Sequence, residues 1–129
     1  MSRHLNAYKR VRITTASPAE LVVQLYEGLV RFTTMARRAT EAQLHAEVGA
    51  AIDRTVKIIG HLRECLDMDA APEVSPHLDR MYVAWTRAVV RAQITQDTAL
   101  LDEVVTQMQE MLESWRRAAE RTHVLAEGA

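Results

Sequence analysis

The sequence predicts an all-α protein, an antiparallel up-down four-helix bundle preceded by an extended N-terminal arm. Apolar residues recur at three- and four-residue steps in four successive runs of similar length, which is the period of an amphipathic helix. Glycine and proline are scarce, with four and three in 129 residues, and aromatics make up 5%, a balance that suits helices. The connections between runs are mostly short, which favours antiparallel neighbours. The expected division is an arm over 1–16, the bundle over 17–121 and a flexible C-terminal tail over 122–129.

Residues 1–16 lack helical periodicity and contain β-branched Val11, Ile13, Thr14 and Thr15. Leu5, Tyr8, Val11 and Ile13 are apolar anchors that a freely solvated arm would not need, so the arm is expected to dock. The first helix opens at Ser17-Pro18. Ser17 can cap it and Pro18 suits the first helical position, while Glu20 is spaced to complete a capping box. Leu21, Leu25, Leu29, Phe32, Ala36 and Ala39 form its predicted inner stripe. Gly28 is about 1 kcal/mol worse than Ala in a helix interior, which points to close approach of a neighbouring backbone. No Gly or Pro marks the end, and the turn is placed near 43–47.

The second stripe is Val48, Ile52, Val56, Ile59, Leu62, Cys65 and Leu66, broken by the segment from Asp67 to Pro72. Ser75-Pro76 repeats the Ser17-Pro18 device and is read as the next cap. Leu78, Met81, Tyr82, Trp85, Val89 and Ala92 follow on the third helix. Asp97 is read as the cap of the fourth, whose stripe is Leu101, Val104, Val105, Met108, Leu112 and Trp115. Helices of about 20 residues would each be about 30 Å long.

The formal charge is −1, unevenly spread. Residues 1–19 carry Arg3, Lys9, Arg10 and Arg12 with no acid, whereas the rest holds 12 basic and 17 acidic residues. A basic arm on an acidic body suits an acidic partner or the body itself, and offers no structured basic face for nucleic acid. The N-terminus has no apolar signal region and no apolar run of membrane-spanning length occurs, so a cytosolic location without membrane insertion is expected. Cys65 reads as a small core residue rather than a reactive thiol.

Catalytic chemistry is hard to assemble. Glu120-Arg121-Thr122-His123 has the Glu-x-x-His spacing of a di-iron bundle but stands alone, and His4, His45, His61 and His77 are scattered. Ser17 and Ser75 are explained as caps, and no nucleophile elbow or phosphate loop is present. The expectation is a non-enzyme without metal or cofactor. What stands out is apolar supply beyond the core stripes, from Val83, Val90, Leu100, Met111 and six methionines in all. Such residues suit either core filling or a groove for an amphipathic or unfolded partner segment.

One longer pattern is more specific. Thr15-x-Ser17-Pro18-x-Glu20-Leu21-Val22-x-x-Leu25-Tyr26-Glu27-Gly28 resembles the opening-helix motif of the flagellin-specific export chaperones, the FliS family, with Glu27 where Asp is common. Leu5-x-x-Tyr8 is similar to the family's N-terminal apolar pair. Val56-x-Ile58-Ile59 with Leu66-Asp67, and Leu78-x-x-Met81-Tyr82, resemble its second and third helices. Ala92-Gln93, Asp97, Glu103-Val104 and Trp115 resemble its closing segment. The chain departs from the pattern at Ala70-Ala71-Pro72-Glu73, where a Gly-Gly turn is usual, and at Gln93, usually Asn.

The resemblance implies a cytoplasmic chaperone that binds the disordered C-terminal segment of flagellin, prevents premature polymerisation and helps present it to the flagellar export gate. The runner-up is a helical-bundle chaperone or adaptor for another exported protein. In the family the N-terminal arm is associated with the binding surface, which singles out Leu5 and Tyr8. Ile58, Ile59, Leu62 and Tyr82 fit either the core or a partner groove.

Overall fold

Among residues 17–128, those the computed structural model of the protein describes, four helices follow one another, with side chains described as far as Arg121. They are α1 (Pro18–Glu41), α2 (His45–Glu64), α3 (Ser75–Thr95) and α4 (Thr98–Gly128). The expected arm, with Leu5 and Tyr8, lies outside the described residues. The helical backbone of α4 runs on through Gly128, into the segment read from the sequence as a tail.

Each junction has a local cause. Ser17 Oγ accepts from the Glu20 amide at 3.1 Å, so the cap that opens α1 forms as its sequence requires. Asp97 likewise accepts from the Leu100 amide at 3.0 Å and opens α4. Two helix ends, those of α1 and α3, use a device with no sequence marker. Gln43 (φ 58°) and Gln96 (φ 55°) take the left-handed conformation that usually falls to glycine after a helix. At the first, the Gln43 amide bonds to Thr40 O and the Leu44 amide to Ala39 O, closing the last turn of α1. At the second, Asp97 donates its amide back to Ala92 O while its side chain starts the next helix.

Ser75 corrects an expectation. It is the first residue of α3 rather than its cap, and it is fully buried. Its hydroxyl donates to the Asp67 carbonyl at 3.1 Å, tying the α2–α3 connection to the start of α3. Asp67 organises the same connection from its other end, accepting the amides of Asp69 and Ala70 on Oδ1.

Cross-helix pairs give the topology. Arg37 and Glu27 of α1 meet Asp102 and Arg116 of α4, so the two helices run in opposite directions. Gly28 faces Ile58 and Thr33 faces Thr55, which sets α2 antiparallel to α1. Arg63 near the end of α2 meets Asp79 near the start of α3, and Trp85 of α3 donates to Gln107 of α4 at 2.9 Å. α1 packs most extensively against α4 and α2, and α3 closes the ring more lightly. This is the predicted antiparallel four-helix bundle.

The core runs the length of this arrangement. At its centre Tyr26, Tyr82, Trp85 and Trp115 cluster with ring centroids 5.7–6.4 Å apart, distances typical of tilted and edge-on aromatic packing. Tyr26 and Tyr82, both buried, share a hydrogen bond between their hydroxyls at 2.8 Å. Further along, Thr33 and Thr55 are buried: Thr33 reaches Met108 Sδ and Thr55 donates to Ala51 O. The inner face of α1 is thus turned from the predicted stripe. Val22, Tyr26, Thr33 and Thr40 are buried along with Leu21, Leu29, Ala36 and Ala39, while Leu25 and Phe32 are only half-buried.

Candidate partner-binding surface

The four described residues singled out from the sequence separate. Ile59, Leu62 and Tyr82 are 0% exposed and belong to the core, so in this state they present no surface to a partner. Ile58 is half-buried at the seam between α1 and α2, its Cδ1 methyl 3.0 Å from where a Cβ on Gly28 would sit. The close approach at Gly28 is therefore real, but the neighbour is a side-chain tip rather than backbone.

Met35 next to this seam is 48% exposed, and Phe32, one turn before it, is half-buried outside the main core. Arg31 and Arg54 lie over the Phe32 ring with their guanidinium carbons 4.9 Å and 5.1 Å from its centre, within the range of an attractive cation–π contact. On another side of the bundle, Val90 and Ile94 of α3 are exposed, Ile94 at 77%. The sequence pattern places Phe32 in the core, leaves Met35 open between core filling and a partner groove, and does not mark Ile94 as surface. The signal was there for Ile94, which falls off the predicted α3 stripe.

A cleft of about 510 Å³ lies between the first turns of α1 and the stretch 116–120 of α4. Val23 and Ala119 give it apolar walls, Glu20, Glu27 and Glu120 make it acidic, and Arg116 crosses to Glu27 at 3.1 Å. A smaller recess of about 140 Å³ lies by Thr40, His45, Val48, Gln93 and Gln96.

None of these surfaces has the make-up of a reaction centre. Cys65 is half-buried, and burial, with the Glu64 carboxylate beside it, pushes its thiol up, away from the nucleophilic thiolate. Burial also raises the Tyr26 phenol to about 12, partly offset by its hydrogen bonds with Tyr82 and Trp115. No group of three or more His, Cys, Asp or Glu among the described residues is placed to hold a metal, and the His123 side chain lies outside them. No helix among the described residues is long and apolar enough to cross a membrane. What the surface offers among the described residues is a few exposed apolar side chains, including Met35 on α1 and Val90 with Ile94 on α3.

The sequence profile of the family described as flagellar protein FliS matches residues 1–122. The chain belongs to the FliS family. It is 32% identical over 115 residues to the flagellar secretion chaperone FliSB of Pseudomonas aeruginosa, across 89% of this chain and 91% of that protein. To the flagellar secretion chaperone FliS of Bacillus subtilis it is 30% identical over 112 residues, 87% and 83% of the two chains. The Vibrio cholerae protein of the same description is 26% identical over 129 residues, 97% and 95% of the two. FliS proteins are chaperones, not enzymes, and the relatives support a role in flagellar export.

Proposed function

We propose that this FliS-family protein is a cytoplasmic export chaperone that binds the disordered C-terminal region of flagellin, keeps it from polymerising early and assists its delivery to the flagellar export gate. The observation that carries this reading is the family match over 1–122, with relatives named flagellar secretion chaperones. The physical case agrees with it. Polymerisation segments are apolar on one face, and covering that face blocks self-association. A client that folds as it binds bears its ordering entropy at that moment, so a long contact coexists with a releasable affinity. The bundle has apolar residues at its surface on several faces, at Met35, Val90 and Ile94.

Leu5 and Tyr8 belong to this proposal as a docking arm that competes with the client. The basic arm joins α1 at Ser17, beside the acidic cleft at Glu20, and the opposite charges support docking there. Competition of this kind lowers apparent affinity by the fraction of molecules in the open state. Ile59, Leu62 and Tyr82 act beneath the surface in this reading, by fixing the helices whose outer faces meet the client.

Calorimetry with a purified flagellin C-terminal fragment, with circular dichroism alongside, tests the proposal. The expected result is saturable one-to-one binding with a negative heat-capacity change and a gain of helix. No heat and no spectral change at tens of micromolar, roughly −6 to −7 kcal/mol, would assign the chain a different client. In the same assay, removing residues 2–12 should tighten binding. Loss of binding in a folded protein would make the arm a contact instead of a competitor.

A further inference from the structure

Every guanidinium that faces a carboxylate across the bundle is used. Arg37 meets Asp102 and Glu41, Arg63 meets Asp79, and Arg116 meets Glu27 and Glu113. Arg38, Arg87 and Arg91 stand outside these pairs, and so do Arg31 and Arg54. Neither guanidinium has a carboxylate or hydrogen-bond partner among the described residues, although the body of the protein is rich in acid. Of the acids close to them in sequence, Asp53 is engaged with Lys57 and Glu27 with Arg116. The two arginines instead converge from α1 and α2 on one aromatic ring.

A guanidinium over a ring keeps its edge N–H donors free while its side chain is restrained, so less entropy is lost when a carboxylate arrives. The two cations meet at Phe32, with exposed Met35 one turn further along α1 and half-buried Ile58 one turn back, beside Gly28. The occupant complementary to such a strip presents an apolar side chain flanked by carboxylates. On a body of net negative charge an acidic segment is repelled at most places, and two uncompensated cations locally reverse that.

We infer that the α1–α2 seam, with Phe32 as its floor and Arg31 and Arg54 as its clamps, receives an acidic amphipathic stretch of the client protein. This rests on the proposed flagellin reading and names where, and by what chemistry, one part of the client is held. Phe32 holds the two guanidiniums in place, exposed Met35 one turn along α1 offers the apolar contact, and the two guanidiniums take carboxylates beside it.

The test is calorimetric titration of the full chain with the flagellin C-terminal fragment, at low and at high salt. It compares the unaltered protein, Arg31→Glu/Arg54→Glu, and Arg87→Glu/Arg91→Glu on α3, which makes the same change in net charge elsewhere. Thermal melts check folding, which reversal of two residues without carboxylate partners should leave intact. The expected result is a loss of about tenfold or more in affinity for the α1–α2 pair, and a much smaller loss for the α3 pair. Affinity of the unaltered chain should also fall with salt more steeply than that of the α1–α2 variant. Phe32→Ala should weaken binding as well. Equal affinities for the unaltered chain and the α1–α2 variant, or a loss confined to the α3 pair, would overturn this inference and leave the flagellin reading standing. No binding by the unaltered chain would overturn both.

Discussion

At the scale of single residues the buried pair Tyr26–Tyr82 shows how polar groups are accommodated in a largely aliphatic core. Each hydroxyl would be costly if buried alone, and the 2.8 Å bond gives each a partner across the bundle. Tyr26→Phe should destabilise by about 1 kcal/mol, and a double-mutant cycle with Tyr82→Phe in urea should return a coupling of similar size. Ionisation gives a second handle. The folded phenol titrates near 12 whereas an exposed one titrates near 10, so the unfolded state loses its proton first. This group is neutral in both states below pH 10 and has no effect there. Stability then falls as pH rises from 10 to about 12, and Tyr26→Phe should make that decline shallower in alkaline melts. Periodicity alone does not distinguish this tyrosine from a surface one. Periodicity weighted by hydrophobicity chose Leu25 and Phe32 for the α1 stripe, and missed that an aromatic hydroxyl and two threonines could be paired inside.

At the scale of helices, the ends were legible where a side chain makes the cap and illegible where the backbone does. Ser17 and Asp97 announce themselves through the oxygen they offer to orphan amides. Gln43 and Gln96 do a glycine's work, and no rule of composition finds them. Ser75 misled because its neighbour Pro76 copies the first helix start, while the buried hydroxyl serves the Asp67 carbonyl instead. Two of the glycines inside helices, Gly60 and Gly28, give different predictions for the same substitution. A Cβ on Gly60 meets nothing within 4 Å, so Gly60→Ala should stabilise by nearly the full propensity difference, about 1 kcal/mol. At Gly28 the added methyl meets Ile58 Cδ1 at 3.0 Å and the side chain must give way, so Gly28→Ala should gain clearly less. Chemical denaturation of the two variants side by side reads the difference.

For the whole molecule, the fold class was the most legible level, because four amphipathic stripes with short connections allow few other arrangements. The surface was the least legible. A bundle's outer apolar residues are decided by how far each helix is rolled, and a roll of one position moved Phe32 from the expected core to the α1–α2 seam. The core has no break. Tyr26 on α1, Tyr82 and Trp85 on α3 and Trp115 on α4 meet in one cluster, so no pair of helices has a separate interior. Unfolding should accordingly be a single transition, with tryptophan fluorescence and far-ultraviolet circular dichroism giving coincident midpoints. Separated midpoints would mean that part of the bundle melts alone.

The extensive packing of α1 against α4 has a consequence for how the protein is made. α1 leaves the ribosome first and α4 last, so the helix with the most to bury waits through nearly all of synthesis for its main neighbour. Until then its inner face, with Val22, Tyr26 and Leu29, has only α2 and α3 to lie against. Closing that long loop is the slow, entropically costly step, and the order of translation places it at the end. A member of a chaperone family thus has, during its own synthesis, apolar surface of its own to keep covered.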